Sequence, residues 1–186
     1  MDKIIDLLGA FVIAGFVMLG ITNLNIYSSQ IRFKSNSNLK LSLDAKTLSD
    51  IIENDFRKIG FGYSGTSIIT ALSNEIKFIA DVDSNGVIDT LSYFLSDSTE
   101  VLNTENPNDK ILYRVINSDT SKGPSLGITD IKFSYKAIDG TTTTVLGNIK
   151  YITAEIWVES PVVVNEEQQS KYLFTYWELS INPRNI

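Results

Sequence analysis

One run of nine residues, Asp81-Val82-Asp83-Ser84-Asn85-Gly86-Val87-Ile88-Asp89, has the form of the first nine positions of a calcium loop of the D-x-[DN]-x-[DN]-G type. Side chains of Asp81, Asp83 and Asn85 alternate toward one centre, and Gly86 permits the sharp turn. The carbonyl of Val87 adds a ligand, and Asp89 binds directly or through water. A ligand set made only of oxygen suits a hard cation, so the cofactor this loop points to is calcium. Position twelve holds Ser92 where a bidentate acid would stand, which implies weak affinity, and the loop lies between strand-like runs rather than helices. The competing account is a polar hairpin turn, in which Asp, Asn and Gly bond their own backbone and accept positive φ.

Little else in the 186 residues points to catalysis. There is no His and no Cys, which removes the usual general base, thiolate nucleophiles, disulfides, iron–sulfur clusters and Cys-ligated zinc. The acid pairs Glu166-Glu167 and Glu155/Glu159 read as solvated faces, so the expectation is a protein that is not an enzyme. Lys and Arg number 16 against 22 Asp and Glu, for a net charge of -6, which is the wrong balance for a nucleic-acid backbone. Trp157, Trp177, Tyr172, Tyr176 and Phe174 read as core or cross-strand aromatics, with a sugar-binding or subunit-packing surface as the alternative. A cysteine-free chain is compatible with either redox compartment.

The element that must place such a domain is the N-terminal one. Leu7 to Ile21 carries no charged or strongly polar residue, with Ile4 and Ile5 extending the apolar run across Asp6. At 1.5 Å per residue, residues 4–26 make a helix roughly 35 Å long, enough for a hydrocarbon core of about 30 Å. A cleavable signal peptide is the rival, opposed by the two acids beside one Lys in MDKIID and by the lack of a small-residue cleavage site after Leu19. Lys3 lies on one side and Arg32, Lys34 and Lys40 on the other, so charge leaves the orientation open. Gly9, Ala10, Ala14 and Gly15 are small enough for helices to approach closely in lipid, and Asp6 needs the interface or a cationic partner.

Tyr27 to Leu43 is polar and reads as a helical continuation with local loosening. From Asp44, Leu48, Ile51, Ile52, Phe56 and Ile59 recur at helical spacing opposite Asp50, Glu53, Asn54, Arg57 and Lys58, and Gly60, Gly62 and Gly65 end the helix. Strands are expected at 76–81, 90–95, 111–117, 128–138, 143–147, 150–158 and 172–181, antiparallel because no crossover helices intervene. Asp139-Gly140 marks a hairpin, while Ser96–Lys110, Ser118–Gly127 and Asn165–Ser170 read as loops. The expected fold is α+β: residues 1–27 an apolar assembly helix, 28–62 its amphipathic continuation, and 63–186 an antiparallel β-rich domain on which the helix packs.

That layout resembles the type IV pilin and type II secretion pseudopilin superfamily, particularly its larger minor pilins. The resemblance rests on the apolar helix, on Leu48-Ser49-Asp50-Ile51-Ile52-Glu53-Asn54-Asp55-Phe56-Arg57-Lys58-Ile59-Gly60-Phe61 at its end, on Ile76–Leu95, and on the closing Glu178-Leu179-Ser180-Ile181-Asn182-Pro183-Arg184-Asn185. Members of that superfamily carry a basic leader ending in Gly and a Glu fifth in the apolar segment. This sequence shows neither, and Asp6, fifth if Met1 is removed, is the acid nearest that place. The resemblance implies a subunit held in the cytoplasmic membrane before assembly. It then self-associates into an extracellular filament with other pilin-like subunits and assembly machinery, Asp6, Gly9, Ala10, Ala14 and Gly15 serving assembly. The alternative is an anchored cell-surface binding module that never polymerises and whose β-domain is stabilised by calcium.

Overall fold

A computed structural model of the chain describes residues 2–101, 104–122, 127–164 and 172–186. Two compact units are present, Met1–Leu39 and Lys40–Ile186. One helix, α1 (Asp2–Arg57), supplies all the described structure of the first unit and the opening of the second. The polar stretch 27–43 is helical throughout. After α1 come β1 (Ile68–Ala71), β2 (Glu75–Ala80), β3 (Asp89–Leu95), β4 (Leu112–Ile116), β5 (Asp119–Lys122), β6 (Ile128–Lys136), β7 (Tyr151–Glu159) and β8 (Phe174–Ile181). The first five form one sheet in chain order and the last three a second, every pairing antiparallel. The fold is therefore α+β, with the helix of the second unit packed on sheet.

The packing follows from spacing. Leu41, Ala45, Leu48, Ile52 and Phe56 fall at three- and four-residue steps along α1 and are all buried, which lines one face of the helix. Phe56 contacts the rings of Phe78 and Tyr93 edge-on at 5.8 and 6.0 Å, and that of Phe133 at 5.9 Å, so a single side chain touches both sheets. Strict alternation in β2 buries Ile76, Phe78 and Ala80, and in β7 the same period buries Ile152, Ala154, Ile156 and Val158, with Thr153 buried on the other face. The sheets are tied directly where the Phe133 N–H donates to the Ser73 carbonyl at 2.8 Å and the Tyr135 hydroxyl donates to the Leu72 carbonyl at 2.9 Å. The helix ends at Arg57, and Gly60, at φ 79°, donates its N–H to Ile79 at 2.9 Å. A Cβ at Gly60 would sit 2.2 Å from the Asn185 carbonyl oxygen, so this close approach admits no side chain.

Two expectations are corrected. The strand expected at 143–147 is a loop with a short 3-10 turn, Leu146–Asn148. The hairpin at Asp139-Gly140 does turn, with Gly140 at φ 82° and the Ala137 N–H donating to the Thr141 carbonyl, but its second arm reaches only one bridge, Lys136 to Thr142. Its threonines and valine satisfy the β pattern without a buried face, since Val145 is exposed. Conversely β5 lies in the stretch Ser118–Gly127 expected as loop, and β1 was not among the expected strands: both are four-residue edge strands, too short to show a period. The antiparallel strands divide into two sheets. The loop expected at Asn165–Ser170 lies outside the described residues.

Candidate metal centre

The acidic run joins β2 to β3, and the antiparallel register of those strands brings its two ends together, Ala80 pairing with Asp89. Asp81, Asp83 and Asp89 each place a carboxylate oxygen within 4.8 Å of the others. Asp81 and Asp89 are buried and Asp83 is exposed, giving a cluster with a closed floor and an open side. The turn is made by left-handed Ser84 (φ 60°) and Gly86 (φ 84°). The Asn85 N–H donates to Asp81 Oδ1 at 3.0 Å and to Asp83 Oδ1 at 3.2 Å, and the Gly86 N–H donates to Asp81 Oδ2 at 2.9 Å. Across the loop, the Val82 N–H donates to Asp89 Oδ2 at 3.3 Å.

Of the five residues read from sequence, the three aspartates converge, whereas Asn85 and Val87 shape the turn. Asn85 donates its amide to Asp83 Oδ2 at 2.8 Å and accepts from the Val87 N–H at 2.6 Å. Two further residues escaped the sequence reading. Asn117, at φ 55°, donates its amide to Asp89 Oδ1 at 2.8 Å and accepts from the Thr90 N–H at 2.9 Å, and Lys58 donates to the Val82 carbonyl at 2.7 Å. An Asn in a turn after a strand was the only signal for the first. An open cleft of about 420 Å³ beside the loop is lined by Asp83, Asp89, Ile116, Asn117 and Asp119.

These residues fit a hard cation. All six carboxylate oxygens accept one hydrogen bond each, which fixes their direction and leaves a second lone pair free. Among the described residues no ion pair neutralises the three carboxylates. Three like charges this close repel one another, and a multivalent cation relieves the repulsion while completing its own oxygen shell. The cluster can hold a metal ion.

A second acid with a defined role is Asp55, which the helical spacing Leu48, Ile52, Asp55, Ile59 sets on the apolar face. It is buried and accepts from Arg114 Nε at 2.6 Å, from Arg114 Nη2 at 3.1 Å and from the Tyr93 hydroxyl. Burial, then the Asp55 charge, pushes the Tyr93 phenol well above its usual range, and hydrogen bonding to Asp55 holds Arg114 charged. The group is a fastening between α1 and the β3–β4 pair.

The first unit offers a different kind of surface. Apolar side chains from Ile4 to Ile26 are between 53% and 72% exposed, and this helix is long and apolar enough to cross a membrane. A signal sequence or a buried core helix meets the same requirement of length and composition. Asp6, Gly9, Ala10, Ala14 and Gly15 are all exposed, and a Cβ added at Gly9 or Gly15 would meet nothing within 4 Å. Among the aromatics, Trp157 and Tyr176 form a cross-strand pair with ring centres 5.2 Å apart, while Phe174 is 69% exposed. An apolar N-terminal helix whose later turns pack on antiparallel sheet is compatible with a pilin-like architecture. Comparison of the chain with protein-family models, with curated proteins and with solved structures found no match.

Proposed function

We propose that this chain is a membrane-anchored subunit that polymerises through its apolar helix into a pilus-like or pseudopilus filament, its β-domain facing outward. The observation that carries the proposal is the exposure of every large apolar side chain from Ile4 to Ile26 on a helix that is apolar all round. Such a helix needs an apolar surrounding on every side, lipid before assembly and other helices after it. Glycine in a helix interior costs about 0.5–1 kcal/mol relative to alanine, and Gly9 and Gly15 relieve no crowding within the chain. Close approach by a neighbouring helix gives them a purpose, and Asp6 then meets a cation of that neighbour.

In this subunit the Asp81–Asp83–Asp89 cluster holds calcium, which is the flexible, oxygen-seeking cation that such a loop suits. Removing the charge with Asp81→Asn and Asp83→Asn lowers the calcium-dependent thermal stabilisation, and a wild-type protein whose melting ignores both calcium and chelator defeats the metal assignment. The filament is tested by electron microscopy of the sheared surface fraction from producing cells, labelled with an antibody to the β-domain. Label along filaments is expected. Protein found only in detergent-extracted membrane overturns polymerisation in favour of an anchored binding module. Asp6→Ala is expected to lower filament yield sharply, and an unchanged yield removes that residue from assembly.

A further inference from the structure

A second oxygen-rich site lies at the other end of the β-domain, where the connection before β4 meets the end of β7. The segment Thr104-Glu105-Asn106-Pro107-Asn108-Asp109 is fastened there by its own polar groups. The Glu105 N–H donates to the Pro161 carbonyl at 3.2 Å, and Asn106 donates its amide to Glu159 Oε2 at 2.8 Å and to the Ser160 carbonyl at 3.2 Å. Asn108 donates to the same Glu159 oxygen at 3.3 Å, and the Tyr172 hydroxyl donates to the Glu105 carbonyl at 2.8 Å. This network buries Asn106 and Asp109, which are 1% and 2% exposed.

Asp109 is the anomaly. Its Oδ2 accepts from the Thr104 hydroxyl at 2.5 Å, but its Oδ1 is buried and has no partner among the described residues. Buried polar atoms are almost always paired, because an unpaired one forfeits its hydration with no return. Changing the protonation state does not mend this, since a proton on Oδ1 would itself need an acceptor. The surroundings sharpen the problem: burial pushes the Asp109 carboxyl up, the Thr104 hydroxyl pulls it back, and the nearby Glu159 charge adds to the rise. Two carboxylates thus lie near enough to repel, and one of them keeps an oxygen with no partner among the described residues. Glu159 also lines an open cleft of about 340 Å³ with Ser98, Asn108, Lys110, Thr129 and Asp130.

We propose that Asp109 and Glu159 bind a hard divalent cation, calcium by ligand chemistry, that clamps the β3–β4 connection onto the end of β7. The cation pairs Asp109 Oδ1 and cancels the repulsion between the two carboxylates in one step. The clamp joins the two sheets at the opposite side of β3 from the Asp81 loop, and it does not depend on that loop or on polymerisation.

The test uses the full chain in detergent carrying Asp81→Asn and Asp83→Asn, so that the first loop is silent. Calcium at about a hundredfold excess over its dissociation constant is expected to raise the melting temperature by roughly 5 °C in this background. Adding Asp109→Asn or Glu159→Gln should each erase that rise, and terbium luminescence sensitised by Tyr172 should vanish with it. The silent-loop protein staying folded yet indifferent to calcium overturns the site, since a buried water at Oδ1 gives that result. So does a rise that survives both substitutions. Should Asp109→Asn fail to fold, the Glu159→Gln protein and its terbium signal decide alone.

Discussion

Two halves of one helix obey opposite rules. From Leu41 to Phe56 most apolar residues, Leu41, Ala45, Leu48, Ile52 and Phe56, keep to one buried stripe, while Asp50, Glu53 and Arg57 take the other side with Leu43 and Ile51. From Ile4 to Ile26 the apolar residues occupy every side and none is buried. A stripe signals a partner on one side only, and here both sheets of the same chain supply it. On the proposed reading, the all-round apolar surface of the first half is met by lipid and by other copies, so stability is an internal matter for the second half and an external one for the first.

The sharpest test of that contrast is Phe56→Ala. Phe56 touches rings from β2, β3 and β6, so truncation opens a cavity that neither sheet can close by itself. A loss of about 3–5 kcal/mol is expected, read as a lowered denaturant midpoint of the detergent-solubilised chain with an unchanged slope. Breaking the Asp55–Arg114 pair by Arg114→Met should come next, near 3 kcal/mol, because it strands a buried carboxylate with only the Tyr93 hydroxyl. If Arg114→Met costs under about 1 kcal/mol, Asp55 is not the fastening described.

Alkaline titration probes the same packed half. Tyr93 and Tyr135 both have phenol pKa values raised by burial, Tyr93 further by Asp55 and Tyr135 by Glu75. In the unfolded chain these phenols lose protons near pH 10, whereas in the folded protein they keep them. Their contribution is therefore fully present below about pH 10 and is lost as pH rises toward the folded values, each by up to about 1.4 kcal/mol per pH unit. Tyr93→Phe is expected to flatten the decline above pH 10. A stability profile level to pH 11.5 contradicts the burial of both hydroxyls.

How much of this was legible in the residues differs between the halves for a physical reason. Helical and strand periods are local, so α1, β2, β3, β6, β7 and β8 could be read to within a few residues. The acidic loop was equally local, its ligands separated by single residues, and its three aspartates do converge. What could not be read depends on partners far along the chain. Asn117 reaches Asp89 across 28 positions, Arg114 reaches Asp55 across 59, and Asn106 reaches Glu159 across 53, none with a spacing that announces it. Edge strands β1 and β5 were invisible because four residues cannot display a period, and 143–147 misled because β-branched composition records propensity rather than burial.

The smallest expected effect is also the most discriminating. Phe16 is 70% exposed on the first half of α1, so Phe16→Ala removes a large side chain from an exposed position. In detergent the denaturant midpoint of the β-domain should stay within about 0.5 kcal/mol of wild type, the range of surface changes that touch no special feature. Phe56 and Phe16 have the same side chain on the same helix, so the pair isolates environment from chemistry. A Phe16→Ala loss approaching that of Phe56→Ala would mean that the first half is clamped inside the protein after all, and the proposal that its apolar surface is covered by lipid and by other copies would fall with it.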